Sequence, residues 1–270
     1  MSNIDVPCES SMPDDGARPK NIAVTDPPQP FMPISHICAY LKIDPKNKSA
    51  PDLHCYYARW PMGEQIYSCG QQLSDLYFVA SGIVALSYYE DDRRIISAIF
   101  LPGELLGLDA IDNQIHNNTA LALIESLLLR VPYKPFLRFC HDHEDGEKSL
   151  LGIFSKQIFD ASVLMEVLAH ARSDVTVAFF IYSMAVRTGS HAVPEKRLRY
   201  LPPRRDLASH LGLAYETVSR QINDLCDFGI IKCQGKTILI ENIDQLKRIC
   251  WPYSDQIAGK QSGARGRYVP

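Results

Sequence analysis

No stretch of this 270-residue chain approaches the roughly 18 consecutive apolar residues needed to cross a bilayer, which excludes a transmembrane helix. Its first residues, MSNIDVPCESSMPDDGARPK, lack the basic start and apolar core of a secretory signal, so the expected compartment is the cytoplasm. In that reducing setting the eight cysteines are not expected to form a disulfide scaffold. Also missing are a nucleophile elbow, a phosphate-binding loop and a metalloprotease helix motif, so no residues point to an enzyme. Charge of one sign is not in excess either: 28 Lys+Arg against 31 Asp+Glu leave a formal net charge of -3. As a total, that discourages a nucleic-acid partner, but a total is silent about distribution. What remains is a globular composition, 46% hydrophobic and 22% charged, long enough for one large domain or two ordinary ones.

Residues 1–33 hold seven of the 18 prolines and few large aliphatics. Such a segment cannot bury enough apolar surface to offset its ordering entropy, which predicts a disordered arm. At the other end, QSGARGRYVP reads as a frayed tail. Between about Trp60 and Pro132 the chain runs in short segments: QIYSCG, DLYFVASG, GIVALSYYE, RIISAIFLPGE and ALALIESLLLRVP. Glycine, proline and aspartate separate them, which predicts a small antiparallel barrel or sandwich. Gly70, Gly82 and Gly103 fall where tight corners need a positive φ.

From Glu147 to about Thr188 the period becomes helical. Leu151, Phe154, Ile158, Ala161, Met165 and Leu168 alternate at spacings of three and four, a heptad seam. One reading packs this helix into the core against the barrel. Ile153, Phe159, Val163, Leu164 and Val167 widen the stripe, however, and a helix apolar on two sides needs two partners. A barrel on one side and a second subunit on the other is therefore the expectation. A second helix near Val175–Arg187 follows Ser173-Asp174, a candidate cap.

Next comes a helix over Arg204–Leu211 that starts after Pro203 and stops at Gly212. A further helix, Ala214–Phe228, buries Val218, Ile222 and Leu225 and ends at Gly229. GIIKCQGKTILI then reads as a hairpin turning at Gln234-Gly235. Helix, short turn, helix and β wing form a winged helix-turn-helix. The exposed side of the second helix would show Tyr215, Glu216, Ser219, Arg220 and Asn223, with Thr217 beside them. In a major groove, Arg220 can give a bidentate contact to guanine, Glu216 can accept from cytosine and Ser219 can serve a base or a phosphate. The alternative is that Glu216 and Arg220, four apart, are merely an exposed helical ion pair. Charge placement favours the groove: residues 187–270 carry +6 and residues 1–186 carry -9. Arg187, Lys196, Arg197, Arg199, Arg204, Arg205, Lys232 and Lys236 are candidates for contacting phosphates.

Over about residues 34–248 the chain resembles the CRP/FNR family of bacterial transcription regulators, closest to its FNR branch. The family's recognition pattern Glu-x-x-Ser-Arg stands here as Glu216-Thr-Val-Ser219-Arg220, preceded by LGLAY. FLPGELLGLDAI (Phe100–Ile111) and FIYSMA (Phe180–Ala185) are also similar. The resemblance implies an α+β chain with a cyclic-nucleotide-binding-like β-roll sensor (34–146) after the arm. A long dimerisation helix (147–173), a winged helix-turn-helix (174–250) and a tail (251–270) would come after it. It further implies a homodimeric DNA-binding regulator, usually an activator that contacts RNA polymerase, reading a TTGAT…ATCAA-like palindrome in double-stranded DNA. Two rival readings stay open: a sensor module controlling a protein partner, and a constitutive DNA binder without a ligand.

Departures from the family concern the input. Cyclic-nucleotide-binding relatives hold the phosphate with an Arg-Ser/Thr pair after the Gly-Glu segment. Here Gly103-Glu104 is followed by His116-Asn117-Asn118-Thr119, which argues against cyclic AMP. The family's [4Fe–4S] sensor uses four cysteines. ISHIC matches the third at Cys38, the nearest earlier cysteine is Cys8, and Leu129 stands at the fourth position, so no cluster is expected. His54, Cys55 and Cys69 could offer haem ligands, but a buried cysteine more simply acts as a small hydrophobe, and haem is not expected. Cys140-His141-Asp142-His143 crowds its donors too closely for one tetrahedral ion and reads as a solvated linker. Cys226 and Cys233, near the expected DNA surface, are either structural or redox-sensitive, and burial is favoured.

Overall fold

Alternating side chains sort the β-rich half of the chain into two four-stranded antiparallel sheets. The structure, a computed structural model, describes residues 31–46, 48–91, 93–189, 197–198, 201–235 and 237–258. Helix α1 (Ile34–Leu41) precedes strands β1 (Tyr56–Trp60), β2 (Gln65–Tyr67), β3 (Asp75–Ser81), β4 (Val84–Glu90), β5 (Arg93–Phe100), β6 (Leu105–Leu106), β7 (Thr119–Ala122) and β8 (Ser126–Pro132). One sheet has the order β1-β8-β3-β6, the other β2-β7-β4-β5. Along β3 the period of two is plain: Tyr77 and Val79 enter the core with Ile66, Val84 and Leu128, while Leu76 and Phe78 face a second core under α1. Each of these buried side chains contributes about 1.5–3 kcal/mol. At the β3–β4 corner, Gly82 adopts φ 97°, and a Cβ there would collide with Ser126.

Helices cover the outer faces of both sheets. They are α2 (Tyr133–His141), α3 (Glu144–His170) and α4 (Ser173–Arg187). Leu150, Phe136 and Phe139 pack with Leu129 and Val131 of β8. Val163 and Val167 of α3 join Ile83, Ile99 and Leu121, and the same cluster runs through α4 into the C-terminal helices. Every residue of α4 from Thr176 to Ala185 is buried, so α4 is the central strut between the β-roll and the C-terminal elements.

Those elements are β9 (Arg197–Leu198), α5 (Arg204–Leu211), α6 (Tyr215–Asp227), β10 (Ile231–Gln234), β11 (Thr237–Ile240), α7 (Ile243–Ile249) and α8 (Tyr253–Ala258). The wing is three-stranded, in the order β10-β11-β9. Four sequence expectations change. The Ser173-Asp174 cap does not form; instead the Thr176 hydroxyl donates to the Arg172 carbonyl. Cys140 and His141 end α2 instead of lying in a linker, and Cys140 is buried. The stretch 251–270, expected as a tail, contributes α8, which packs on α4 and α3. The barrel also begins earlier than Trp60, at Tyr56. The expected arm, apart from Phe31 to Pro33, lies outside the described residues, as does the stretch after Ala258.

Candidate nucleic-acid interface

Helix α5 stops because Gly212 takes the left-handed conformation, φ 62°, and three residues later α6 begins. Val218 and Ile222 are fully buried and Leu225 nearly so, which fixes the rotation of α6 about its axis. Opposite that stripe, Tyr215, Glu216, Arg220 and Asn223 are exposed, and Thr217 is half-buried. No ion pair joins Glu216 to Arg220 among the described residues, so both heads are available to a partner. Ser219 differs from its neighbours. Its Oγ is enclosed and has no hydrogen-bond partner among the described residues.

Around this face, Arg205 and Lys232 are exposed and Arg204 is half-buried at the start of α5. Lys196, Arg199 and Lys236 lie outside the described residues, and Arg197 is placed only as part of β9. Arg187 is a correction. Its guanidinium is turned into the protein, where Nε and Nη2 reach the two Glu104 carboxylate oxygens at 2.8 and 2.6 Å, and Nη2 also donates to the Ile99 carbonyl at 2.7 Å. It is therefore unavailable to a phosphate. Burial alone would raise the Glu104 pKa, but Arg187 and the Leu101 N–H outweigh it and hold the carboxyl below its ordinary value. Removing either partner would strand a buried charge at a cost of about 3–5 kcal/mol.

Sequence reading did not anticipate how the helix-turn-helix sits on the β-roll. Strand β5 is the outer strand of its sheet, with unpaired backbone groups on its free side. Helix α5 covers it. Ser209 Oγ donates to the Arg94 carbonyl at 3.0 Å and accepts from the Ile96 N–H at 3.1 Å. His210 Nδ1 meets the Ile96 carbonyl at 3.3 Å, and the Arg94 guanidinium pairs with the largely buried Asp206. Burial, the leading cause, lowers the His210 pKa to about 4, so the ring is neutral and Nδ1 carries the donated hydrogen.

The residues expected to bear on cofactors are scattered. His116 is buried, stacked on Tyr67 with ring centres 3.6 Å apart, and its Nδ1 lies 3.6 Å from the Asp109 carboxylate. Asn117 N–H donates to that same carboxylate at 3.1 Å. Asp109 thus sets an acid, not a cation, beside His116 and Asn117, and Glu104 is paired with Arg187. Cys38 and Leu129 are both fully buried in the apolar core under α1. One thiol among aliphatics does not fit an iron–sulfur cluster, and no set of three metal-binding side chains occurs among the described residues. His54 stacks on Phe31 outside while Cys55 is buried in the core, and the Cys69 thiol donates to the Asn117 carbonyl, so these three do not converge on one ring.

Two families match. Residues 58–143 match the cyclic nucleotide-binding domain, and residues 177–249 match the Crp-like helix-turn-helix domain. Among curated proteins, the chain is 26% identical over 188 residues to the fumarate and nitrate reduction regulatory protein of Escherichia coli K12, covering 69% of this chain and 75% of that one. It is 27% identical over 185 residues to electron transport regulator A of Shewanella oneidensis, covering 68% and 74%. Among solved structures, FixK2 of Bradyrhizobium japonicum aligns with a TM-score of 0.64 at 27% identity, over 72% of this chain and 96% of that one. A CRP-family transcriptional regulator of Thermus thermophilus, at 18% identity and TM-score 0.56 over 72% and 96%, shares the fold.

Proposed function

Because the chain belongs to the CRP/FNR family of transcription regulators, which are not enzymes, we propose that it binds a TTGAT…ATCAA-like palindrome as a homodimer in the cytoplasm and activates transcription through RNA polymerase. The observation that carries this reading is the unpaired, exposed set of Glu216, Arg220 and Asn223 on one face of α6, held by the buried Val218, Ile222 and Leu225. In a major groove these side chains supply donors and acceptors to base edges, while Arg204, Arg205 and Lys232 reach the flanking phosphates.

Dimerisation is supported by α3. Leu151, Ile158, Met165 and Leu168 are 62%, 66%, 65% and 41% exposed, and Ala161 is exposed between them. Phe154 instead turns partly toward the β-roll core. An aliphatic stripe this long is rarely left to solvent, and a second α3 packed along it would place two recognition helices on a two-fold axis. No cyclic nucleotide, iron–sulfur cluster or haem is assigned as the input, given the Asp109–His116 pair, the Glu104–Arg187 pair and the dispersed cysteines.

Selection of random duplexes by purified protein tests the reading. Recovery of inverted half-sites spaced about one helical turn apart is expected. No enrichment, or enrichment of single half-sites only, would refute the DNA or the dimer part respectively.

A further inference from the structure

The thiols of Cys226 and Cys233 lie 3.5 Å apart, Sγ to Sγ, with Cys226 donating. Cys226 is the penultimate residue of α6 and Cys233 lies in β10, and Gly229 at φ 65° turns the chain back between them. The four core cysteines are different. Cys38, Cys55, Cys140 and Cys250 are buried, and burial pushes each thiol up, the last three to about 12, so little thiolate forms at neutral pH. Cys233 is exposed and Cys226 half-buried, so a small oxidant in solvent can reach the pair. Burial and the hydrogen bond from Cys226 push the Cys233 thiol up to about 11, past the opposing charge and hydrogen bond of Arg204, so exposure and the 3.5 Å approach, not ready ionisation, set this pair apart from the core thiols. Arg204 is also one of the candidate phosphate contacts.

We propose that Cys226 and Cys233 are a dithiol that a low-molecular-weight disulfide closes reversibly into a disulfide, tying the recognition helix to the wing and weakening its hold on DNA phosphates. The thiolate of one cysteine attacks a sulfur of the oxidant, forming a mixed disulfide and expelling one thiolate. The second cysteine, deprotonated, attacks the cysteine sulfur of that mixed disulfide and releases the other thiolate. Two electrons pass from the protein pair to the oxidant, and the two thiol protons end on the released small thiols. Bond formation draws the sulfurs from 3.5 Å to about 2 Å. The pull falls on the last turn of α6 and on β10, which carries Lys232 beside Cys233, and it removes the thiol next to Arg204. Glu216 and Arg220 stand in the first half of α6, away from the new bond. Phosphate contacts should therefore change more than base preference.

This inference rests on α6 and the wing contacting DNA, so its test reads the covalent step without DNA. Full-length protein is treated with oxidised glutathione, acid-quenched, digested and analysed by mass spectrometry. The same samples are titrated with a selected palindrome and with a random duplex at several salt concentrations. A linked peptide pair carrying Cys226 and Cys233, lighter by two hydrogens, is expected; dithiothreitol reverses it, and it is absent from Cys226→Ser and Cys233→Ser. Oxidised wild type should lose affinity by a similar factor on both duplexes, with a salt slope shallower by about one phosphate, and the serine variants should not. Absence of the linked peptide under excess oxidant, or its formation with affinity and slope unchanged, overturns the proposal. Reduced protein that binds neither duplex yet still forms the link would remove the DNA-binding assignment, and the regulatory half of the proposal with it.

Discussion

Arg220 is exposed on the first half of α6 without an ion-pair partner among the described residues, so its guanidinium can offer two parallel donors to a guanine edge. Replacing it with alanine should cost about 1–3 kcal/mol at the selected palindrome and relax preference at one base position. Competition titrations against single-base variants measure both effects, and an equal loss on random duplex would show a phosphate contact instead. Ser219, one residue earlier, shows where sequence reading stops. Helical spacing puts it near the reading face, but spacing does not measure depth, and its Oγ is enclosed with no partner among the described residues. A buried hydroxyl left unpaired costs about 1–3 kcal/mol, and a base or phosphate edge brought against α6 is a group that could satisfy it. Arg187 failed for a related reason. Counting charges along the chain cannot reveal that Glu104, 83 residues earlier, already holds it.

At the scale of elements, α5 and α6 were legible because each carries its own start, apolar stripe and glycine stop. The observed Tyr215–Asp227 lies one residue inside the expected Ala214–Phe228 at each end. By contrast α1, α2 and α8 have eight, nine and six residues, too short for an apolar period to separate helix from strand, and their shape comes from packing on the β-roll and α4. The long α3 was legible as a two-sided helix, and its outer side gives a direct test. Ile158 is exposed, so Ile158→Asp should leave the fold and thermal unfolding of the chain nearly unchanged while placing two charges in the expected α3–α3 seam. Sedimentation equilibrium should then show monomers, and palindrome binding should fall toward half-site affinity. The contact of α5 with β5 makes a different forecast. His210 sits in that contact near Phe180 and Arg187, with its pKa lowered from 6.5 to about 4. Below pH 6.5 the unfolded chain takes up a proton that the folded ring refuses until about pH 4. Stability should therefore drop by about 3 kcal/mol across that window and be full above it. Urea unfolding of wild type and His210→Asn from pH 7.5 to 4 checks this; equal pH dependence in the two proteins would show that His210 is not the titrating group.

For the whole molecule, a net charge of -3 conceals an acidic sensor half and a basic C-terminal part, and the structure shows how the two are joined. Arg94–Asp206 and Arg187–Glu104 cross between the β-roll and the C-terminal helices, so each half has one cation and one acid paired inside the protein. The two pairs offset each other in the +6 of residues 187–270, one taking up a cation and the other an acid, and Arg204, Arg205, Arg220 and Lys232 are described cations placed around α6 and the wing. Each phosphate neutralised by each subunit should contribute a slope of about -0.9 in log affinity against log salt. Lys232→Ala should accordingly make that slope shallower by about one per subunit and weaken selected and random duplexes by the same factor. Arg220→Ala should do the reverse, lowering discrimination more than slope. Opposite signatures from the two variants would separate phosphate positioning from base reading. Matching signatures would mean that α6 binds DNA through charge alone, because a helix that reads sequence must lose preference when its reading side chain is removed.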